Sequence, residues 1–371
     1  MDSRSKIVAH LLSVTTDAKE PAIVISGPDG AGKSTILERV AKGLGERPNR
    51  IFRANPVESS WHLSGLSSMF TATTLTVDVE ITKYIPAEPG EPVNHYGLAR
   101  EIREKFLGTL SPGSVIILDD ADLLDADSQV VISSLATKLA GTGISFIASV
   151  AAVHADSVWS SFRELEVTPL DESEAVSFVA ELAGPGAHPL VVDTVVQYSD
   201  GLPQTIAEFV AKLSTRQLKG ISPLVLPLVP GNSTKARIDQ ELAVLTEAQL
   251  RVMELCAMAS LAEPLSIVSS EGDDIDALDD LLSNGWIERH GPYVQIPSKL
   301  VRSVLYWHAS PAKRRNRHTE LRAKTTAWSL SAFHGSFLGR DEAHFQSLYT
   351  AAEDFLSYGY IDMGVEIVER A

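Results

Sequence analysis

Nine consecutive residues carry the strongest chemical signal in the chain: Gly27-Pro28-Asp29-Gly30-Ala31-Gly32-Lys33-Ser34-Thr35. They fit G-x-x-x-x-G-K-[ST], the pattern of a loop that cradles phosphates. Gly27, Gly30 and Gly32 allow backbone conformations closed to residues with a Cβ. The N–H groups of the loop can then turn inward on phosphate oxygens, at the positive end of a following helix. Lys33 adds a point charge for the β- and γ-phosphates, and Ser34 offers its hydroxyl to Mg²⁺. A second candidate is Ser114-Val115-Ile116-Ile117-Leu118-Asp119-Asp120, an apolar run that ends in paired carboxylates, as a Walker B strand does. Asp119 would hold Mg²⁺, directly or through water, and Asp120 would orient or deprotonate the attacking water as the catalytic group.

Both groups need particular elements around them. Ala22-Ile23-Val24-Ile25 reads as a buried strand entering the glycine loop, and residues 35–42 have helical spacing. Strand, loop and helix in that order separate a phosphate site from an ordinary Gly-rich turn. The acids at 119 and 120 leave the C-terminal end of a strand, where open α/β sheets bind ligands.

The 371 residues suggest two or three domains, and 44% apolar with 22% charged residues is a globular balance. No apolar run reaches membrane-span length, and the N-terminus does not read as a signal peptide. Cys256 is the only cysteine, which suits a reducing cytoplasm. The net charge of −16 disfavours non-specific DNA binding by the whole chain.

Along the chain, residues 5–17 read as a helix, 50–54 as a strand, and 97–108 and 127–140 as helices. A β-branched run from Thr73 to Ile81 precedes a loop containing Pro86, Pro89 and Pro92. Residues 143–150 read as a strand ending in Ser149-Val150, without a basic residue to sense a γ-phosphate. Residues 165–168 read as a strand running into a turn, with Asp171 or Ser173 capping the next helix. Helices are predicted at 173–183, 190–198 and 204–214. The Pro, Gly and Ser content of 215–235 suggests a linker and a hinge. Helices at 239–245, 247–259 and 275–284 precede a hairpin over 285–296, a winged-helix pattern. Further helices are predicted at 298–308 and 311–335, then a pair at 342–357 and 360–371 that reads as one helical repeat.

Several of these stretches resemble the STAND ATPases, and within them the ATPase region of large LuxR-type (MalT-like) transcription regulators. Asp119-Asp120-Ala121-Asp122-Leu123-Leu124-Asp125 is similar to that group's extended Walker B, and Leu165–Leu170 with Glu174-Ala175 to the strand and helix after its sensor region. Gly201-Leu202-Pro203 resembles its GxP motif, which implies that Pro203 packs near the adenine. Residues 297–306 and 310–315 resemble the helices after its winged-helix hairpin. The likeness spans about 20–335. It lacks the group's opening Gly-Arg-x-x-Glu segment and a sensor arginine near Val150.

The resemblance implies an α/β P-loop NTPase with a parallel sheet, AAA/STAND-like, over 1–168. A helical lid over 169–220, a winged-helix domain over 221–335 and the start of TPR-like helical repeats over 336–371 would follow. It also implies ATP or ADP with Mg²⁺ as cofactors, and a cytoplasmic switch that hydrolyses ATP slowly and self-associates with ATP bound. DNA contact would belong to a C-terminal domain outside these residues. Two rivals remain: an AAA+ motor or loader, and a non-catalytic nucleotide-binding scaffold. No Asn-Lys-x-Asp motif supports a GTPase. The basic run Lys313, Arg314, Arg315, Arg317, Arg322 and Lys324 reads as a solvated helix face in an acidic chain. His154, His290 and His318 read as surface or packing residues, Cys256 as core, and Trp286 and Tyr293 as packing for the hairpin.

Overall fold

A strand with apolar side chains on both faces is stable only where both faces are covered. The computed structural model of the protein, which describes residues 3–17, 20, 22–72, 79–85, 92–268, 272–339 and 342–371, meets this demand with five strands. These are β1 (Ala22–Ser26), β2 (Asn49–Arg53), β3 (Val115–Asp119), β4 (Ser145–Val150) and β5 (Arg163–Glu166). They form one parallel sheet in the order β2-β3-β4-β1-β5. The accompanying helices are α1 (Ser3–Asp17), α2 (Lys33–Gly43), α3 (Ser64–Ala72), α4 (His95–Thr109) and α5 (Ala126–Lys138).

Alternation along each strand sorts the side chains. Val24, Ile116, Leu118, Phe146 and Ala148 share a core with Leu98, Ile102 and Phe106 of α4 and with Val131 and Leu135 of α5. On the opposite face α2 packs through Ile36, Leu37 and Val40. Helix α1 lies so close to α2 that a Cβ on Gly43 would sit 2.7 Å from Leu12 Cδ1. Strand β5 starts two residues before the predicted 165. Arg163 and Glu164 are exposed, and an edge strand tolerates such side chains. Of the stretch between 55 and 97, positions 73–78, Pro86 and Pro89 lie outside the described residues. No helix among the described residues is long and apolar enough to cross a membrane.

The chain divides into two compact units, Met1–Pro169 and Leu170–Ala371. The second opens with α6 (Glu172–Ala183), α7 (Pro189–Tyr198), α8 (Pro203–Lys212) and α9 (Thr215–Leu218), followed by α10 (Asn232–Leu242), α11 (Glu247–Cys256), α12 (Pro264–Ile267) and α13 (Gly272–Ser283). A hairpin of β6 (Glu288–His290) and β7 (Tyr293–Gln295) comes next. It turns on Gly291 at φ 60° and Pro292, and Val294 also bridges to Ala262. The unit ends with α14 (Lys299–His308), α15 (Pro311–Lys324), α16 (Trp328–Ser336), α17 (Glu342–Ser357) and α18 (Ile361–Arg370). Asp171, not Ser173, caps α6 by accepting the Glu174 N–H.

Three expectations need correcting in this unit. Residues 215–235 are not a loose linker. Ser214 and Gln217 form a capping box on α9, and Leu224 and Leu228 are buried. Trp307 Nε1 and Lys212 Nζ donate to the carbonyls of Pro227 and Pro230. A segment tied at these points is a strap, not a hinge. The helix predicted over 311–335 is two helices. The Glu263 carboxylate accepts from Thr325 Oγ1 and the Thr326 N–H, both at 2.7 Å, and so takes a backbone donor from a continuous helix. The basic run is not simply solvated. Lys313 and Arg317 pair with Glu254, Lys324 pairs with Glu320, and Arg314 lies over the Tyr306 and Trp307 rings.

Two buried polar groups organise the last helices. Arg302 on α14, 2% exposed, donates to Glu366 on α18 at 2.7 Å, to the Ala257 carbonyl and to Ser260 Oγ. The second is the pair His318 and His334, whose Nδ1 atoms stand 2.9 Å apart, with His318 stacked on Phe337 at 3.7 Å. Burial, then the neighbouring His334, pushes His318 down to about 2, and burial pushes His334 down to about 3. The unfolded chain therefore takes up protons from about pH 6.5 downward while the folded chain refuses them. Stability is full above that value and falls with pH toward 3. Urea midpoints measured across this range should fall less steeply in a His318→Phe/His334→Phe double variant than in the wild type. Parallel curves would contradict the assignment.

Candidate functional site

The glycine loop takes its shape from residues that need not resist positive φ. Gly27, Gly30 and Gly32 have φ of 154°, 84° and 98°. At Gly27 the space is closed as well, since a Cβ there would meet the Val167 carbonyl oxygen at 2.4 Å. The Ala31 N–H donates to the Pro28 carbonyl and folds the loop into a turn. Gly32 is the left-handed N-cap of α2, so Lys33, Ser34 and Thr35 form its first turn. First-turn amides have no partner within their own helix, and they point toward the loop with the positive end of the helix dipole. Lys33 is 5% exposed and donates to the Gly27 carbonyl at 2.6 Å, with Asp29 Oδ1 at 3.4 Å. Ser34 is half-buried and Thr35 is exposed.

Asp119 ends β3 on the same edge of the sheet. It is 1% exposed, and both carboxylate oxygens are engaged. Oδ2 accepts from Arg53 Nε at 2.9 Å, and the Arg53 Nη2 amino group stands 2.9 Å from the same oxygen as an ion pair. Oδ1 accepts from Ser149 Oγ at 2.7 Å. Register explains the grouping. Arg53 lies opposite Asp119 in the β2–β3 pairing, and the β3–β4 pairing of Leu118 with Ala148 places Ser149 at the next step. In-register neighbours of parallel strands project from the same face.

Asp120 follows in a left-handed conformation, φ 57°, with its N–H donated to Ser149 Oγ at 2.8 Å. Aspartate tolerates this region better than most residues with a Cβ, and such strain gathers at functional sites. Burial, then the Asp119 charge, raises the Asp120 carboxyl above its ordinary value, with Lys33 opposing. The end of β4 connects the acids to the loop. The Ala151 N–H donates to Asp122 Oδ2, and its carbonyl accepts from the Gly27 N–H. Arg4 of α1 braces the far side by donating to the carbonyls of Ala31 and Thr168.

The structure thus brings Gly27, Pro28, Asp29, Gly30, Ala31, Gly32, Lys33, Ser34, Thr35, Asp119 and Asp120 to the C-terminal edge of one sheet. Pro203 belongs to the second unit, where it is the first residue of α8. Sequence reasoning gave no role to Arg4, Arg53, Ser149 or Ala151. For Arg53 and Ser149 a signal existed: each is a polar residue at the C-terminal end of a predicted strand. Asp125 is a structural cap, buried and accepting from the N–H groups of Leu63, Gly65 and Ser128. Nearby, Asp127 bridges His62 and His95 at 2.5 and 2.6 Å, and its hydrogen bond raises the His62 value. Among the described residues no group of three His, Cys, Asp or Glu side chains is arranged to hold a metal.

Residues 3–147 match the family described as the AAA ATPase domain. No curated protein matches the sequence. Among solved structures, the chain is similar to a Walker-type ATPase of Pyrococcus abyssi at 14% identity and a TM-score of 0.44, over 82% of this chain and 96% of that one. It is similar to a STAND protein with a tetratricopeptide-repeat sensor from Pyrococcus horikoshii at 15% identity and a TM-score of 0.36, over 98% of this chain and 53% of that one. The Orc1 protein of Aeropyrum pernix, solved in complex with DNA, gives 15% identity and a TM-score of 0.41, over 82% and 92%. Such values leave the neighbours' activities with the neighbours.

The environment of Asp120 has a consequence for stability. A carboxyl whose folded value is raised weakens the fold once the pH passes its unfolded value and it must ionise beside Asp119. Asp120→Asn should therefore melt at a higher temperature than the wild type near neutral pH. The gain should shrink toward about pH 4, where the unfolded carboxyl also protonates. Thermal melts at several pH values test this, and an equal or lower melting temperature at neutral pH would contradict it.

Proposed function

We propose that the first unit binds ATP and ADP with Mg²⁺ in the loop Gly27–Thr35. In this reading the chain acts as a slow nucleotide switch of the kind used by large LuxR-type regulators. One observation carries the binding: three glycines at positive φ lead into a helix whose first residue is the buried Lys33, and paired acids stand on the same sheet edge. The donor set fits the group. Inward amides, a helix N-terminus and an ammonium suit phosphate. The Ser34 hydroxyl and the Asp119 carboxylate are the oxygen donors that Mg²⁺ takes. When bound, Mg²⁺ would neutralise phosphate charge.

The roles of the chain's own residues follow from their places. Lys33 holds the phosphates. Asp120, raised by burial and by Asp119, is the group that can accept a proton from a water. Ser149 fixes both acids by bonding the Asp119 carboxylate and the Asp120 N–H. In the LuxR-type reading, Pro203 would pack near the adenine and the hairpin with its flanking helices would act as a winged helix. The AAA ATPase domain match supports a hydrolysing AAA+ loader equally well. ADP that stays bound through purification, with turnover far below the enzyme median of about 10 s⁻¹, favours the switch. Turnover near or above that median in a ring-shaped oligomer favours the loader.

Lys33→Ala should weaken Mg·ATP binding on the order of a hundredfold, the loss of about two charge-assisted hydrogen bonds. Calorimetry reads this directly. Unchanged affinity in a folded variant would remove the nucleotide assignment.

A further inference from the structure

The residue that most constrains Asp119 is a cation. Arg53 approaches with two nitrogens at 2.9 Å from Oδ2, while Ser149 occupies Oδ1. A carboxylate that is 1% exposed needs such a counter-charge. A divalent cation needs the same oxygens. It therefore has to take over the charge-neutralising role of Arg53, either by direct ligation or through a water. Arg53 is well placed to yield, because its side chain is 58% exposed and can return to solvent.

We propose that Arg53 is a resident counter-ion of Asp119 and that it competes with the divalent cation. This proposal rests on the nucleotide reading above. Its consequence is that metal affinity is set below what Asp119 and Ser34 alone would give. Arg53 is then held against Asp119 without metal and released to the surface when metal and nucleotide are bound. The nucleotide state is thereby written into the position of an exposed guanidinium at the end of β2. Arg53 is a positioning residue here, since it touches neither phosphate nor water in this scheme.

The opposite role is a structural one, in which Arg53 holds Asp119 ready for the metal. The two differ in the sign of a mutation. Mn²⁺ serves as the probe, its free ion counted by electron paramagnetic resonance during titration of the whole protein with ADP present. ADP affinity is measured separately in EDTA with a fluorescent analogue. Competition predicts that Arg53→Gln binds Mn²⁺ about tenfold tighter than the wild type, the size of one charge-assisted pair. Its ADP affinity in EDTA should be unchanged. Arg53→Lys keeps the charge and should stay close to the wild type. Ser149→Ala removes an orienting hydroxyl without removing a competing charge, and should not tighten Mn²⁺ binding. Equal or weaker Mn²⁺ binding by a folded Arg53→Gln overturns the proposal, as does an equal gain in Arg53→Lys. Failure of ADP to bind the wild type would instead strike the nucleotide reading itself.

Discussion

A carboxylate buried to 1% exposure at the end of a parallel strand is the constraint from which the first unit follows. Removing a carboxylate from water costs several kcal/mol, about as much as a small domain's whole stability margin, unless its oxygens are paired. Asp119 meets this with Arg53 on one neighbouring strand and Ser149 on the other. That solution requires β2, β3 and β4 to be adjacent and in one register. A slip of one residue would turn Arg53 or Ser149 to the opposite face and leave the carboxylate unpaired. The polar row therefore specifies the alignment of the sheet, which the apolar residues of β3 and β4, buried on both faces, specify only weakly.

The same alignment explains how the site assembles. Strand β4 stands between the loop strand β1 and the acid strand β3. Ser149 near its end bonds the two acids, and Ala151, the residue that follows it, bonds Asp122 and Gly27. Where a basic residue sensing the γ-phosphate would stand, the chain thus has a hydroxyl that ties the two acids together and a peptide group that ties Asp122 to the loop.

What was legible in the sequence was local. The glycine loop, the apolar strands and the capped helices are fixed by residues within a few positions of one another, and Asp171 before α6 or Thr246 before α11 shows this directly. Arg53 and Ser149 escaped because their partner lies 66 and 30 positions away, and only the strand order brings them together. The strap within 215–235 escaped for a related reason. Pro and Gly content shows that the segment is irregular, but it does not show that Trp307 and Lys212 tie it down. The break in 311–335 depends on Glu263, about 60 positions distant, whose carboxylate takes donors from Thr325 and Thr326.

The second unit repeats the principle with a different pair. Arg302 and Glu366 are buried, and Ser260 and the Ala257 carbonyl share their remaining hydrogen-bonding capacity. An apolar pair of equal volume would often hold helices at least as firmly. A fully bonded ion pair adds a directional requirement, because α18 must meet α14 at one rotation for Glu366 to reach Arg302. The outer ties of α18 agree with that rotation. Asp362 meets Lys299, Glu369 accepts from the Leu224 N–H, and Arg370 lies over Phe337. In both units, then, apolar burial supplies the bulk of the attraction, while one arginine paired with a buried carboxylate selects a single register. In the first unit that pair includes the carboxylate proposed to take part in chemistry. There, the charge that fixes the fold and the charge that would receive a metal are the same.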